Sequence, residues 1–102
     1  MSHIIDEVYK EELINILTSK LKMLRAEIGI SQKELATRLG VSRQTYGAIE
    51  NKEQKMTWSN FLALLLLFRS NEKAVKVIDW IGVYPPELEQ YIKLNRLKDN
   101  SI

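Results

Sequence analysis

Cysteine is absent from the 102 residues, and the only histidine is His3, close to the amino terminus. The lack of cysteine excludes disulfides, thiolate zinc sites and thiol nucleophiles, and the lack of an internal histidine excludes mechanisms that need a positioned imidazole. No carboxylate pair, no serine beside a base and no glycine-rich phosphate loop stands out. We therefore expect a protein that is not an enzyme and that uses no metal or cofactor.

Long apolar runs are also missing. The longest, residues 61–68 (FLALLLLF), is far shorter than the ~20 residues that span a bilayer. The first residues show no basic segment followed by an apolar stretch, as a signal peptide would. These absences predict a soluble cytoplasmic protein with no membrane partner, and the length fits one domain.

The charges are unevenly distributed, although the net charge of the chain is only +2. Residues 1–13 carry one basic and four acidic side chains, whereas residues 14–60 carry eight basic and four acidic ones. Residues 61–102 are nearly balanced, with six basic and five acidic side chains. A concentration of positive charge in one segment is typical of a surface that binds a polyanion.

Helical periodicity dominates the chain, and glycine and proline are scarce, at four and two residues. Apolar residues spaced by three or four positions, serine and threonine caps, and glycines after the apolar stripes together mark the helices. The predicted helices are 13–28, 31–40, 42–50, 57–69, 72–81 and 86–97. Residues 75–78 would also suit a strand because they are rich in β-branched side chains.

Two of these helices are short and are joined by a tight turn at Gly40, a residue type that tolerates positive φ. If the apolar residues of the second helix face the core, Arg43, Gln44 and Ala48 lie on its outer face. Arginine and glutamine suit bidentate hydrogen bonds to guanine and adenine, and alanine can contact a thymine methyl group. This is the arrangement of a helix-turn-helix, whose second helix, about 42–50 here, enters the major groove.

The segment SQKELATRLGVSRQTYGAIEN, residues 31–51, is very similar to the helix-turn-helix of phage-repressor-like (Xre-type, Cro-like) bacterial transcriptional regulators. The resemblance covers about residues 21–68. It implies an all-α, lambda-repressor-like DNA-binding domain of about five helices, here with an extra C-terminal helix. It also implies sequence-specific binding of double-stranded DNA by a transcriptional regulator, which we expect to be a repressor.

The resemblance also implies which residues meet DNA. The positions that match Arg43, Gln44 and, often, Ala48 face base edges in that family. We expect the DNA backbone to be contacted by Gln32, Ser42, Thr45, Asn51, Lys52 and Lys55. Two positions depart from the family pattern: Lys52 stands where glycine is usual, and Thr57-Trp58 replaces a common Pro-Ser.

We expect an N-terminal extension over 1–12, a DNA-binding domain over 13–70, and a C-terminal helical extension over 71–102 that is a candidate for dimerisation. One recognition helix covers few base pairs, so we expect a homodimer on a palindromic operator. The candidate dimer surfaces are 61–68, 75–80, Leu88, Tyr91, Ile92 and Leu97. The alternative is an antitoxin or adaptor whose helix-turn-helix domain binds a protein partner such as a toxin.

Overall fold

The structure, a computed structural model, describes residues 5–94, and within that range the chain forms six α-helices and no β-strand. The helices are α1 (Glu7–Ile28), α2 (Gln32–Leu39), α3 (Arg43–Glu50), α4 (Trp58–Arg69), α5 (Glu72–Ile81) and α6 (Pro86–Ile92). The all-α prediction is confirmed. Residues 75–78 belong to α5, so the strand alternative is wrong.

Two helix boundaries differ from the prediction. Helix α1 begins six residues before Leu13, because the Asp6 carboxylate accepts a hydrogen bond from the Tyr9 N–H at 2.8 Å and caps the helix earlier. Most of the added residues are charged, so apolar periodicity does not reveal them. Helix α6 ends at Ile92 because Lys93 adopts an extended conformation, with ψ of 130°. The predicted end, Leu97, lies outside the described residues.

The caps predicted for the two short helices are present. The Ser31 hydroxyl accepts a hydrogen bond from the Glu34 N–H at 3.0 Å, and the Glu34 carboxylate accepts one from the Ser31 N–H at 2.8 Å. The Ser42 hydroxyl accepts a hydrogen bond from the Thr45 N–H at 3.0 Å at the start of α3. Gly40 has a φ of +89° and ends α2. These local bonds define a helix, a tight turn and a second helix.

Helix α1 is the central element, since it packs against α3, α4 and α5, while α2 packs against α3 and α4. The core is apolar and continuous. Its fully buried side chains include Leu17, Leu21, Leu24, Tyr46, Ile49, Phe61, Leu64, Phe68 and Ile78. Because α3 contributes Tyr46 and Ile49 to this core, its opposite face is directed toward solvent.

The apolar residues expected at a dimer surface separate into two groups. Leu88 and Ile78 are fully buried in the protomer, so neither is available to a second copy. Leu66, Trp80 and other large apolar side chains of the described residues remain exposed, Leu66 at 74% and Trp80 at 77%. No helix among residues 5–94 combines the length and the apolar character that a bilayer span needs.

Two glycines of the short helices are expected to respond oppositely to alanine. Gly40→Ala places a Cβ at a φ of +89° and is expected to lower the free energy of unfolding by about 1–2 kcal/mol. Gly47 lies inside α3, where a Cβ would contact only the Gln32 Oε1 at 3.6 Å. Gly47→Ala is therefore expected to raise the free energy of unfolding by about 1 kcal/mol. Urea denaturation of both variants measures the difference, and a shift of the same sign in both would contradict the two assignments.

Candidate nucleic-acid interface

The outer face of α3 carries the side chains predicted to read bases. Arg43 and Gln44 occupy the first turn and are exposed. Ala48 lies one turn further along and is half-buried. Residues three and four positions apart share one helix face, so Gln44 and Ala48 lie on the same side of α3. The structure therefore places Gln44 and Ala48 on one side of α3 and Arg43 at the exposed start of the same helix.

The last residue of α3, Glu50, is a buried carboxylate that is only 5% exposed. Arg25 of α1 donates two hydrogen bonds to it, from Nε to Oε2 at 2.8 Å and from Nη2 to Oε1 at 2.9 Å. The Tyr46 hydroxyl donates to Oε2 at 2.8 Å, and Gln32 Nε2 of α2 donates to Oε1 at 2.7 Å. Glu50 thus connects α3 to both α1 and α2 through directional bonds.

The hydrogen bonds to Glu50 determine the protonation state of its carboxyl group. Burial by itself disfavours the charged carboxylate, but hydrogen bonds from Arg25, Gln32 and Tyr46 outweigh it and hold the pKa of Glu50 below its ordinary value. Burial and the bond to Glu50 raise the pKa of the Tyr46 hydroxyl. At neutral pH the cluster therefore contains an ionised Glu50, a neutral Tyr46 and a charged Arg25.

The sequence does not identify Arg25 as the partner of Glu50. Arg25 lies 25 residues from Glu50 in the chain. The sequence feature that could have pointed to Arg25 is its position beside the apolar stripe of α1. A basic residue at the edge of a buried helix face can reach an acidic residue on a neighbouring helix. The Arg25–Glu50 pair is the contact near this surface that the pattern of the chain does not reveal.

Gln32 is held by the protein itself. Its side chain is half-buried, its Nε2 donates to Glu50, and its Oε1 lies 3.6 Å from the position that a Cβ of Gly47 would take. Its backbone N–H is at the first position of α2, where no intrahelical acceptor exists. That N–H and the second hydrogen of Nε2 are further hydrogen-bond donors of Gln32.

The other residues expected at the DNA backbone lie at the two ends of α3. At its start, the exposed Ser42 hydroxyl donates to the Oγ1 of the half-buried Thr45 at 3.0 Å. At its end, Asn51 is the C-cap, and Lys52 and Lys55 follow in the loop before α4. All three of these are exposed. The predicted set therefore flanks the predicted base-contacting face on both sides.

Lys52 has an unusual backbone conformation. Its φ of +66° is in the left-handed region, and among the described residues every other residue with positive φ is a glycine. Its N–H donates to the Ile49 carbonyl at 3.0 Å, so the turn is closed by a hydrogen bond. A lysine in this conformation is strained by about 1–2 kcal/mol relative to glycine. The glycine usual in the family would fit this turn without that strain.

Comparison with known families agrees with this geometry. Residues 21–68 match the model of a helix-turn-helix family, and the match includes α2, α3 and all but the last residue of α4. The segment belongs to the phage-repressor-like, Xre-type helix-turn-helix family. This family binds DNA in transcriptional regulators, and the chain therefore contains a DNA-binding regulatory domain. Searches of curated proteins and of solved structures gave no significant match to the chain.

The Glu50 carboxylate makes a pH-dependent contribution to stability. Because its pKa is lowered in the folded protein, its contribution is present above the unfolded value of about 4.5 and is lost as the pH falls through the folded value. Glu50→Gln is expected to lower the free energy of unfolding at pH 7 by about 3 kcal/mol, since it leaves the Arg25 guanidinium without its counterion. The deficit relative to wild type should shrink below pH 4.5.

The matched control is Glu53→Gln, which removes the same charge from an exposed loop position. Denaturation of the wild type and both variants between pH 3 and 7 measures how the free energy of unfolding depends on pH. Parallel pH profiles for wild type and Glu50→Gln would contradict the role assigned to this carboxylate.

Proposed function

We propose that the protein is a sequence-specific transcriptional repressor that inserts α3 into the major groove of double-stranded DNA. The observation that carries the proposal is the division of α3 into two faces. Its inner face is fixed by the buried Tyr46, Ile49 and Glu50, and its outer face presents Arg43 and Gln44 to solvent. A short helix that is held rigidly on one side and carries long hydrogen-bonding side chains on the other suits base readout.

In this proposal the flanking residues set the position of α3 on the duplex. Ser42 and Thr45 contact the backbone at the start of α3, and Asn51 with the two loop lysines contacts it at the other end. Gln32 contacts it from the first turn of α2. Phosphate contacts give affinity and register but carry no sequence information directly. Arg43, Gln44 and the Ala48 methyl group therefore supply direct base readout.

Truncation of the reading side chains tests this assignment. The operator is first selected by the wild type from a pool of random duplexes. Arg43→Ala and Gln44→Ala are each expected to weaken binding to the selected duplex by about 1–3 kcal/mol, with a smaller effect on an unselected duplex for Gln44→Ala. Fluorescence anisotropy at 50 and 200 mM salt measures both affinities, and wild-type binding should fall steeply with salt.

Lys22→Ala is the matched control, because it removes a positive charge from an exposed position on α1, outside the proposed contact residues and outside residues 71–102. Unchanged binding by the double variant of Arg43 and Gln44 would show that another helix reads the DNA. If the wild type selects no duplex at all, the protein-binding alternative, an antitoxin or adaptor, is favoured instead.

We further propose that two copies bind one palindromic operator, with DNA binding in residues 13–70 and dimerisation by 71–102 together with the exposed side of α4. An apolar groove supports this surface. Leu66, Tyr91, Ile92 and Leu94 line it, and their exposed fractions run from 39% to 99%. Contiguous exposed apolar surface of this kind is typical of protein interfaces.

The mass of the protein in solution tests the proposed dimer directly. Light scattering at micromolar concentration is expected to give about twice the 11.9 kDa mass of the chain. Leu66→Lys, at a side chain that is 74% exposed, should lower the mass to that of one chain and weaken operator binding while leaving the helical content unchanged. A wild-type mass of one chain would contradict the proposal.

A further inference from the structure

The segment that follows α5 is held at both ends of α4. At the first residue of α4, the Trp58 ring meets the Tyr91 ring of α6 edge to face, with ring centroids 5.9 Å apart. At the last residue of α4, the Arg69 guanidinium lies 4.0 Å from the centroid of the ring of Tyr84, which precedes α6. We refer to these two contacts as the α4 clamp.

The Trp58 end of the α4 clamp combines several interactions. The indole N–H of Trp58 donates a hydrogen bond to the Tyr91 hydroxyl at 3.3 Å. The Lys10 ammonium of α1 lies 5.4 Å from the centroid of the Trp58 ring and 5.9 Å from that of Tyr91. Trp58 also stacks on the fully buried Phe61, with ring centroids 4.8 Å apart. The core therefore fixes Trp58, and Trp58 in turn holds α6.

Helix α6 has few other contacts that could fix its position. It has seven residues, too few to be stable alone in water. Leu88 is the one residue of α6 that is buried. The Tyr9 hydroxyl donates to the Glu87 carboxylate at 3.4 Å, a long and exposed hydrogen bond. The position of α6 on α4 therefore depends on Leu88 and on the α4 clamp.

The apolar groove proposed as the dimer surface lies between the two contacts of the clamp. Its volume is about 430 Å³. Leucines from the middle of α4 line it together with residues from the end of α6 and just beyond, so the groove exists only while α6 is docked. Arg69, Tyr84 and Tyr91 of the clamp also line the groove, whereas Trp58 does not. Trp58 therefore supports the groove from outside it.

The surface around the groove is suited to a second copy of this chain. It combines a hollow with projecting apolar side chains, since Leu66 is 74% exposed and Leu94 is 99% exposed. In a two-fold dimer the same surface patch is used by both copies. A projecting leucine of one copy can therefore enter the groove of the other, and the reverse contact follows by symmetry.

The α4 clamp is specific to this chain rather than common to the helix-turn-helix family. The family match ends at residue 68, so Arg69 and all of α6 lie beyond it. Within the match, Trp58 stands where serine is common. A serine has no ring to meet Tyr91 or to attract the Lys10 ammonium. The departure at Trp58 is thus explained by the C-terminal helix that it holds.

We propose that the α4 clamp builds the dimer surface, with Trp58 as the positioning residue that keeps α6 docked so that the groove can receive a second copy. This inference rests on the proposed dimer, and it assigns the formation of the groove to a residue that does not line it. Only a protomer with α6 docked can associate, so the dimer weakens as the docked fraction falls.

Amide hydrogen exchange of α6 measures docking, and the Leu66→Lys background separates docking from dimer formation. Trp58→Ser is expected to accelerate exchange in residues 86–92 about tenfold or more, because it removes the aromatic pair and the ring that attracts Lys10. Trp58→Phe keeps a ring but loses the N–H donor, so its rate should fall between the two. Unchanged exchange in α3 would show that the domain remains folded.

Lys10→Gln tests the clamp without removing an aromatic ring from the protein. It is expected to accelerate exchange in α6 about two- to fivefold, because the cation over both rings is lost. Lys20→Gln is the matched control. Lys20 is also a half-buried lysine of α1, but it lies over no aromatic ring in the described part of the chain. Its exchange in α6 should equal that of the wild type.

Sedimentation equilibrium of the same variants, with Leu66 intact, measures the dimer dissociation constant. Trp58→Ser is expected to raise this constant about threefold or more, and Lys20→Gln should leave it unchanged. Wild-type exchange in α6 of both Trp58→Ser and Lys10→Gln would overturn the clamp. Faster exchange with an unchanged dissociation constant would overturn its link to the dimer surface. A wild type that sediments as one chain would contradict the proposed dimer itself, whatever the exchange rates show.

Discussion

The hydrogen-bonded pair of Arg25 and Glu50 is the interaction on which the arrangement of the other helices depends. Helix α3 has only eight residues, too few to be stable alone in water, so its position must come from tertiary contacts. Apolar contacts at Tyr46 and Ile49 hold it against the core but tolerate sliding and rotation. The two bonds from Arg25 are directional, so they fix α3 in one orientation.

The Glu50 carboxylate is also linked to the half-buried Gln32 of α2 by a hydrogen bond. Glu50 accepts from Gln32 at the first turn of α2, so the start of one short helix is tied to the end of the other. A displacement of Glu50 would move both the outer face of α3 and the N-terminus of α2. Stability and recognition are therefore coupled at this point, since the group that secures the fold also sets the relative position of two candidate DNA-contacting elements.

The parts of the structure that can be predicted from the sequence depend on neighbours in the chain. Caps such as Ser31 and Ser42 and the stop at Gly40 involve bonds within a few residues, and each is confirmed. The Arg25–Glu50 pair joins residues 25 positions apart, and no local pattern specifies it. Residues 61–68 are apolar on every side, so periodicity cannot tell the exposed Leu66 from its buried neighbours.

Folding pairs some of the basic residues of the sequence with acidic ones. The acidic residues between positions 6 and 12 lie at the N-cap and in the first turns of α1, where Glu11 pairs with Lys55 of the basic segment. Arg25 is paired with a buried carboxylate, and breaking that pair would leave an uncompensated charge. The Glu11–Lys55 pair is exposed, and exposed ion pairs of this kind contribute little to stability. The net charge of residues 14–60 therefore overstates the positive charge that is available at the surface of the folded protein.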